Sequence, residues 1–142
     1  MKLTLGVIEQ PYQDSPGVTT GDVAEILEAK YHPMEIFYEV HQQEVADDLA
    51  EGFAGTLESM LKGAPVDPAD LFLSGTAKID AAFKNFLLTG EMESLGIPGV
   101  PTKAAVERRS LRFKKKRGPS KRPSFIDTGL YESNFKSWIE PN

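Results

Sequence analysis

The stretch KRPSFIDTGLYESNFKSWIEPN, Lys121–Asn142, decides the fold. Phe135, Ser137 and Ile139 alternate with Lys136, Trp138 and Glu140, the period of a β-strand, and both faces carry an apolar group. Just before it, Asp127 or Thr128 can accept a hydrogen bond from a following backbone N–H and Gly129 permits a tight bend. Leu130, Tyr131 and Phe135 then anchor a single turn that launches the strand. A strand needs a partner, and the other end of the chain offers one. Leu3, Leu5 and Val7 alternate with Lys2, Thr4 and Gly6, and Pro11 with the cluster Asp14-Ser15-Pro16-Gly17 stops the run.

Between these strands the period changes to that of helices. Asp22 stands three residues before Glu25 as N-cap and capping-box partner, and Val23, Ile26, Leu27 and Tyr31 form one stripe that ends before Pro33. From Met34 a stronger stripe runs through Phe37, Val40 or His41, Val45, Leu49, Phe53, Leu57 and Met60 or Leu61, until Gly63 and Pro65. This predicts a dominant helix of about 27 residues. Ser74 is positioned to cap a third helix through Leu88, with Ile79, Ala82, Phe83, Phe86 and Leu87 on its apolar face and Gly90 closing it. Gly96 to Pro101 reads as an ordered connector, and Thr102 caps a weak helix entering the basic run. The expected class is α+β: a long amphipathic helix and shorter helices packed on a small antiparallel sheet that includes both terminal strands. Residues 1–142 form one domain in this reading, with an extended Pro/Gly-rich and basic arm at about 96–123.

Composition is consistent with such a domain. A chain of 142 residues buries roughly two thirds of its unfolded surface on folding. Its 40% apolar content, with 12 Gly and 10 Pro, implies a modest core and long connections. Cysteine is absent, which removes disulfides and thiolate chemistry. The N-terminal apolar run is broken by Glu9 and Pro11, too short for a secretory or membrane-spanning segment, so cytoplasmic synthesis without a membrane partner is expected.

Charge is distributed unevenly. Between Glu107 and Pro123 stand nine basic residues, Arg108, Arg109, Arg112, Lys114, Lys115, Lys116, Arg117, Lys121 and Arg122, with Glu107 the one acid. The rest of the chain carries 7 basic against 20 acidic groups, a net of −13. A basic arm on an acidic body suits nucleic acid, an acidic protein surface or the acidic body of a neighbouring copy.

Motifs for catalysis are weak. Asp-Thr-Gly also surrounds the catalytic aspartate of aspartic proteases, but that chemistry needs two facing carboxylates. One triplet in a mostly helical chain does not supply them. His32 with Glu35 and His41 with Glu44 have helical spacing, yet a metal site needs further ligands on the same face, and none is expected. Asp47-Asp48 and Glu91-x-Glu93 read as solvated charges, and neither GIPGVP nor LSGTAK has the spacing of a phosphate-binding loop. No cofactor is expected.

The segment FIDTGLYESNFKSWI resembles the Asp-Thr-Gly-x-Leu-x-x-Ser element of the tail-completion, neck and virion-morphogenesis proteins of tailed bacteriophages, here as Asp127, Thr128, Gly129, Leu130 or Tyr131, Ser133 and Phe135. VAEILEAKYHPMEIFYEVHQQEVADDLAEGF is similar to that family's segment in which a short motif precedes a proline, an aromatic and a long helix, through Val23, Glu28, Pro33, Phe37 and the run to Leu61. Two departures stand out: Ala29-Lys30 replaces Gly-Thr, and the Asp-Thr-Gly element follows the long helix here. The resemblance covers about a third of the chain. It implies a structural virion protein without catalytic residues, forming a homo-oligomeric ring at the head–tail junction. Its partners would be other copies of itself and neighbouring connector, tail-terminator or tail-tube proteins, with genomic DNA passing through. The implied interface is Asp127, Thr128, Gly129, Leu130, Tyr131, Phe135, Trp138 and Ile139. The alternative is a small nucleic-acid-binding protein acting through 108–122.

Overall fold

A computed structural model describes residues 1–107, 123–126 and 129–141. Strand β1 (Lys2–Val7) is followed by helix α1 (Thr20–Tyr31), the long helix α2 (Pro33–Leu61), a 3-10 turn at Pro68–Asp70 and helix α3 (Leu73–Leu88). Three single-turn helices follow, α4 (Glu91–Ser94), α5 (Lys103–Val106) and α6 (Leu130–Ser133), and the last element is strand β2 (Phe135–Glu140). The strands pair antiparallel, Leu3 opposite Ile139, Leu5 opposite Ser137 and Val7 opposite Phe135. The expected α+β architecture is therefore observed, with helices packed on a two-stranded sheet made by the terminal strands. No helix among the described residues is long and apolar enough to cross a membrane.

The inner face of the sheet meets α3, and α3 meets α2. Phe83 stacks on Phe135 with ring centroids 3.9 Å apart, while Phe37 meets Phe83 and Phe86 edge-on at 5.3 and 5.5 Å. Ile79, Leu87 and Met92 complete a fully buried centre, with Leu3, Leu5 and Val7 packed against it from β1. Burying each such side chain contributes about 1.5–3 kcal/mol, which is why period-2 and period-3.6 patterns converge on one core. α2 and α3 cross unusually closely at Gly52 and Gly75. A Cβ at Gly52 would stand 2.6 Å from the Gly75 nitrogen, and one at Gly75 would stand 2.7 Å from the Asp48 carbonyl oxygen.

Element boundaries correct several sequence expectations. The N-cap of α1 is Thr19, not Asp22: the Thr19 hydroxyl accepts from the Asp22 N–H, and the Asp22 carboxylate accepts from the Thr19 N–H at 2.9 Å. The capping box therefore lies one turn earlier than the Asp22–Glu25 pair, because the bridge between Pro11 and Thr19 holds Thr19 extended. Helix α3 begins at Leu73, without a side-chain cap from Ser74. Helix α2 starts at Pro33, because proline fits the first helical position as readily as it ends the previous helix. His32 between them is left-handed, at φ 54°, and offers no side-chain cap. Glu28 caps α2 instead, its two carboxylate oxygens accepting from the Met34 and Glu35 N–H groups at 3.0 and 3.1 Å.

The apolar stripe of α2 divides at Gly52. Phe37 and Val45 are buried, whereas Phe53, Leu57, Met60 and Leu61 remain exposed, Leu61 at 82%. The helix outruns the core it covers. Thr102 does cap α5, accepting from the Ala105 N–H, but any continuation into the basic run falls outside the described residues.

Candidate functional site

The implied interface can be built upward from the strand. Ser137 on β2 faces inward: its N–H and hydroxyl donate to Asp80 Oδ1 at 2.7 and 2.8 Å, and its hydroxyl also lies 3.0 Å from the Thr76 carbonyl on α3. Asp80 Oδ2 takes Lys136 at 3.1 Å, so one carboxylate ties the open edge of β2 to α3. With Ser137 turned inward, Trp138 must turn out. It lies across Gly6, where a Cβ would sit 2.8 Å from the indole ring, and its Nε1–H donates to Glu140 Oε1 at 3.0 Å. The indole is 41% exposed. The other edge of the sheet belongs to β1, beyond which no third strand lies among the described residues.

Residues of the Asp-Thr-Gly element divide by burial. Asp127 and Thr128 lie outside the described residues. Gly129 takes φ 82°, a left-handed conformation that glycine adopts without strain, and starts α6. Leu130 and Ile139 are half-buried. Tyr131 and Phe135 are buried in the chain's own core, at 3% and 2%. Trp138 therefore offers the largest accessible surface among the described members of the set. Arg108, Arg109, Arg112, Lys114, Lys115, Lys116, Arg117, Lys121 and Arg122 all lie outside the described residues.

Glu132 was not singled out by sequence. It is buried on α6, and burial pushes its carboxyl above the ordinary range, since an ionised oxygen loses water that little else replaces. Burial likewise pushes the neighbouring Tyr131 phenol up, reinforced by Glu28.

The two histidines have different settings. Ligand atoms of Glu28, His32 and Glu35 lie within 4.8 Å of one another, but Glu28 already serves as the cap of α2, and His32 and Glu35 are exposed. His41 is held between Glu44 on α2 and Glu91 on α4, at 2.7 and 3.0 Å. The carboxylates occupy opposite ring nitrogens and so cannot converge on one ion through this imidazole. The i, i+3 spacing to Glu44 was legible in sequence; Glu91, fifty positions away, was not.

A solvent-facing hollow of about 510 Å³ opens beside the Gly52–Gly75 crossing, lined by Gly55, Thr56, Val66 and Leu73 and by the charges of Glu51, Asp70 and Lys78. Lys78 is engaged by Glu51 at 2.6 Å and Asp48 at 3.7 Å, so the one cation lining it among the described residues is already neutralised. Compared with known proteins, the chain matches no family model, no curated protein and no solved structure.

Proposed function

We propose that this chain is a structural subunit of a tailed-phage virion, assembling with copies of itself into a ring at the head–tail junction as a neck or tail-completion protein. The observation that carries the proposal is Trp138: a large aromatic on the outward face of a two-stranded sheet, 41% exposed and packed over Gly6. Such a residue gains most by burial against another chain. The unextended edge of β1 and the exposed Phe53, Leu57, Met60 and Leu61 of α2 add further surface that a neighbour would cover. The resemblance of FIDTGLYESNFKSWI to the neck family supplies the class of assembly. A net of −13 outside the basic run suits a channel wall that DNA phosphates slide past, while the basic run suits an acidic adjoining ring.

The test is the solution mass of the purified chain, alone and with candidate connector, tail-terminator and tail-tube proteins, together with its presence in purified virions. A ring, or a complex with one of those proteins, is expected. A monomer under all conditions that is missing from virions overturns the proposal.

The uneven charge favours one second reading, nucleic-acid binding through 108–122. It requires an affinity for DNA that falls steeply with salt, since each phosphate contact releases counterions. Neutralising Lys114, Lys115, Lys116 and Arg117 together must then weaken binding; an unchanged affinity removes this reading.

A further inference from the structure

His41 stands where α2 departs from helical geometry, with φ −105° and ψ 17°. Its ring stacks on Phe37 at 5.1 Å and meets the Phe86 ring edge-on at 5.8 Å. Nδ1 lies 2.7 Å from Glu44 Oε2, and Nε2 lies 3.0 and 3.1 Å from the two Glu91 oxygens. Carboxylates only accept hydrogen bonds, so satisfying both contacts requires a donor on each ring nitrogen, and only the imidazolium has two.

Glu91 opens α4, and the same short helix holds a second junction. Glu93 Oε1 accepts from the Ser124 N–H and hydroxyl at 2.8 and 2.9 Å, and the Ser124 hydroxyl accepts from the Thr102 N–H at 3.0 Å. Two chain positions 22 residues apart are thereby closed on each other through α4. Met92 between the two glutamates is buried and anchors α4 in the core.

We infer that His41 is a proton-operated latch: the imidazolium clamps α2 to α4 through Glu91, α4 holds the Thr102–Ser124 closure, and loss of the proton loosens both. Among the described residues, the charged groups that bear on the ring are Glu44, from its own helix, and Glu91, from α4; α3 presents only the Phe86 ring. Burial of the ring opposes its charge, but the Glu44 hydrogen bond and the charge and hydrogen bond of Glu91 outweigh it, raising the pKa above the ordinary 6.5. A pKa raised by folding means that the clamp is at full strength below the ordinary value and is lost as pH rises through the raised one. The inference stands independently of the assembly reading.

The experiment is an NMR pH titration of the full chain carrying His32→Gln, so that His41 is the one histidine, with amide exchange followed at the same pH values. His41 is expected to titrate above 6.5, and Glu91→Gln and Glu44→Gln should each lower that midpoint. Exchange at α4, Thr102 and Ser124, corrected for its intrinsic pH dependence, should speed up several-fold across the His41 transition, and should lose that step in Glu91→Gln. A midpoint at or below 6.5, a midpoint that Glu91→Gln leaves in place, or exchange without a step overturns the latch. Glu44 and Glu91 retain substantial exposure and His41 is kept throughout, so the variants do not disturb the core.

Discussion

Gly52 of α2 and Gly75 of α3 meet backbone to backbone, closely enough that a Cβ at either would fall inside van der Waals distance of the other helix. The obstructing atoms are main-chain N, Cα and O, which cannot swing aside as a side chain would. Gly52→Ala or Gly75→Ala is expected to destabilise the fold by about 1–3 kcal/mol through overpacking, despite alanine's better helix propensity. Gly55, three residues along α2, has open space at its Cβ position. Gly55→Ala should therefore be neutral or stabilising when the three variants are compared by urea unfolding.

Asp80 and its two partners on β2 separate a buried polar contact from a surface ion pair. Asp80→Ala leaves the Ser137 N–H without its acceptor against α3 and is expected to cost about 1–3 kcal/mol. Lys136→Ala removes only an ammonium whose side chain is 52% exposed, and should cost less than about 1 kcal/mol. Equal losses for the two variants, measured by denaturant unfolding, would contradict this division of roles.

Glu28 caps α2 across the His32 turn. Glu28→Ala is expected to cost about 0.5–2 kcal/mol, as loss of a helix cap does. Glu28→Gln, which keeps an acceptor oxygen, should recover part of that loss. Thermal unfolding of the three proteins side by side decides it.

Burial raises the pKa of Glu132, so its ionisation opposes folding: the cost is absent below the ordinary glutamate range and appears as pH rises through it. Glu132→Gln removes the charge while preserving shape. It should raise the unfolding midpoint at pH 7 and leave it nearly unchanged at pH 3, when the wild-type carboxyl is protonated in both states. A variant equally stabilised at both pH values would show that charge is not the cause.

Trp138→Ala tests the proposed assembly surface. Removing an aromatic anchor at an interface typically costs about 2 kcal/mol or more of association, while an exposed residue of a monomer tolerates the change. Loss of assembly with an unchanged far-UV helical signal is the expected result. Unfolding of the isolated subunit would assign Trp138 to the monomer's own stability, and normal assembly would exclude it from the interface.

Some of this was already determined by the sequence itself. The alternation in LTLGV and FKSWIE sets two strands, and since side chains on a strand point to opposite faces, Trp138 must oppose Phe135 whatever the partner. The stripe around Phe37 and Val45, and that of Ile79, Phe83 and Phe86, follow from helical period in the same way. Thr102 and Gly129 are likewise local, because a cap or a left-handed turn involves only neighbours a few residues away.

Other features were decided by packing between distant segments, which no local period encodes. Gly52 and Gly75 look like weak points of two helices until the helices cross there. The stripe of α2 continues past Gly52 with the same period, but the core ends, so Phe53, Leu57, Met60 and Leu61 are left partly or largely exposed. Thr19 displaced Asp22 as the cap because β-bridge pairing with Pro11 fixed its backbone. The setting of His41 required Glu91, and the anchoring of β2 required Asp80. These last two are contacts between groups fifty or more residues apart, made only when tertiary burial has brought the segments together.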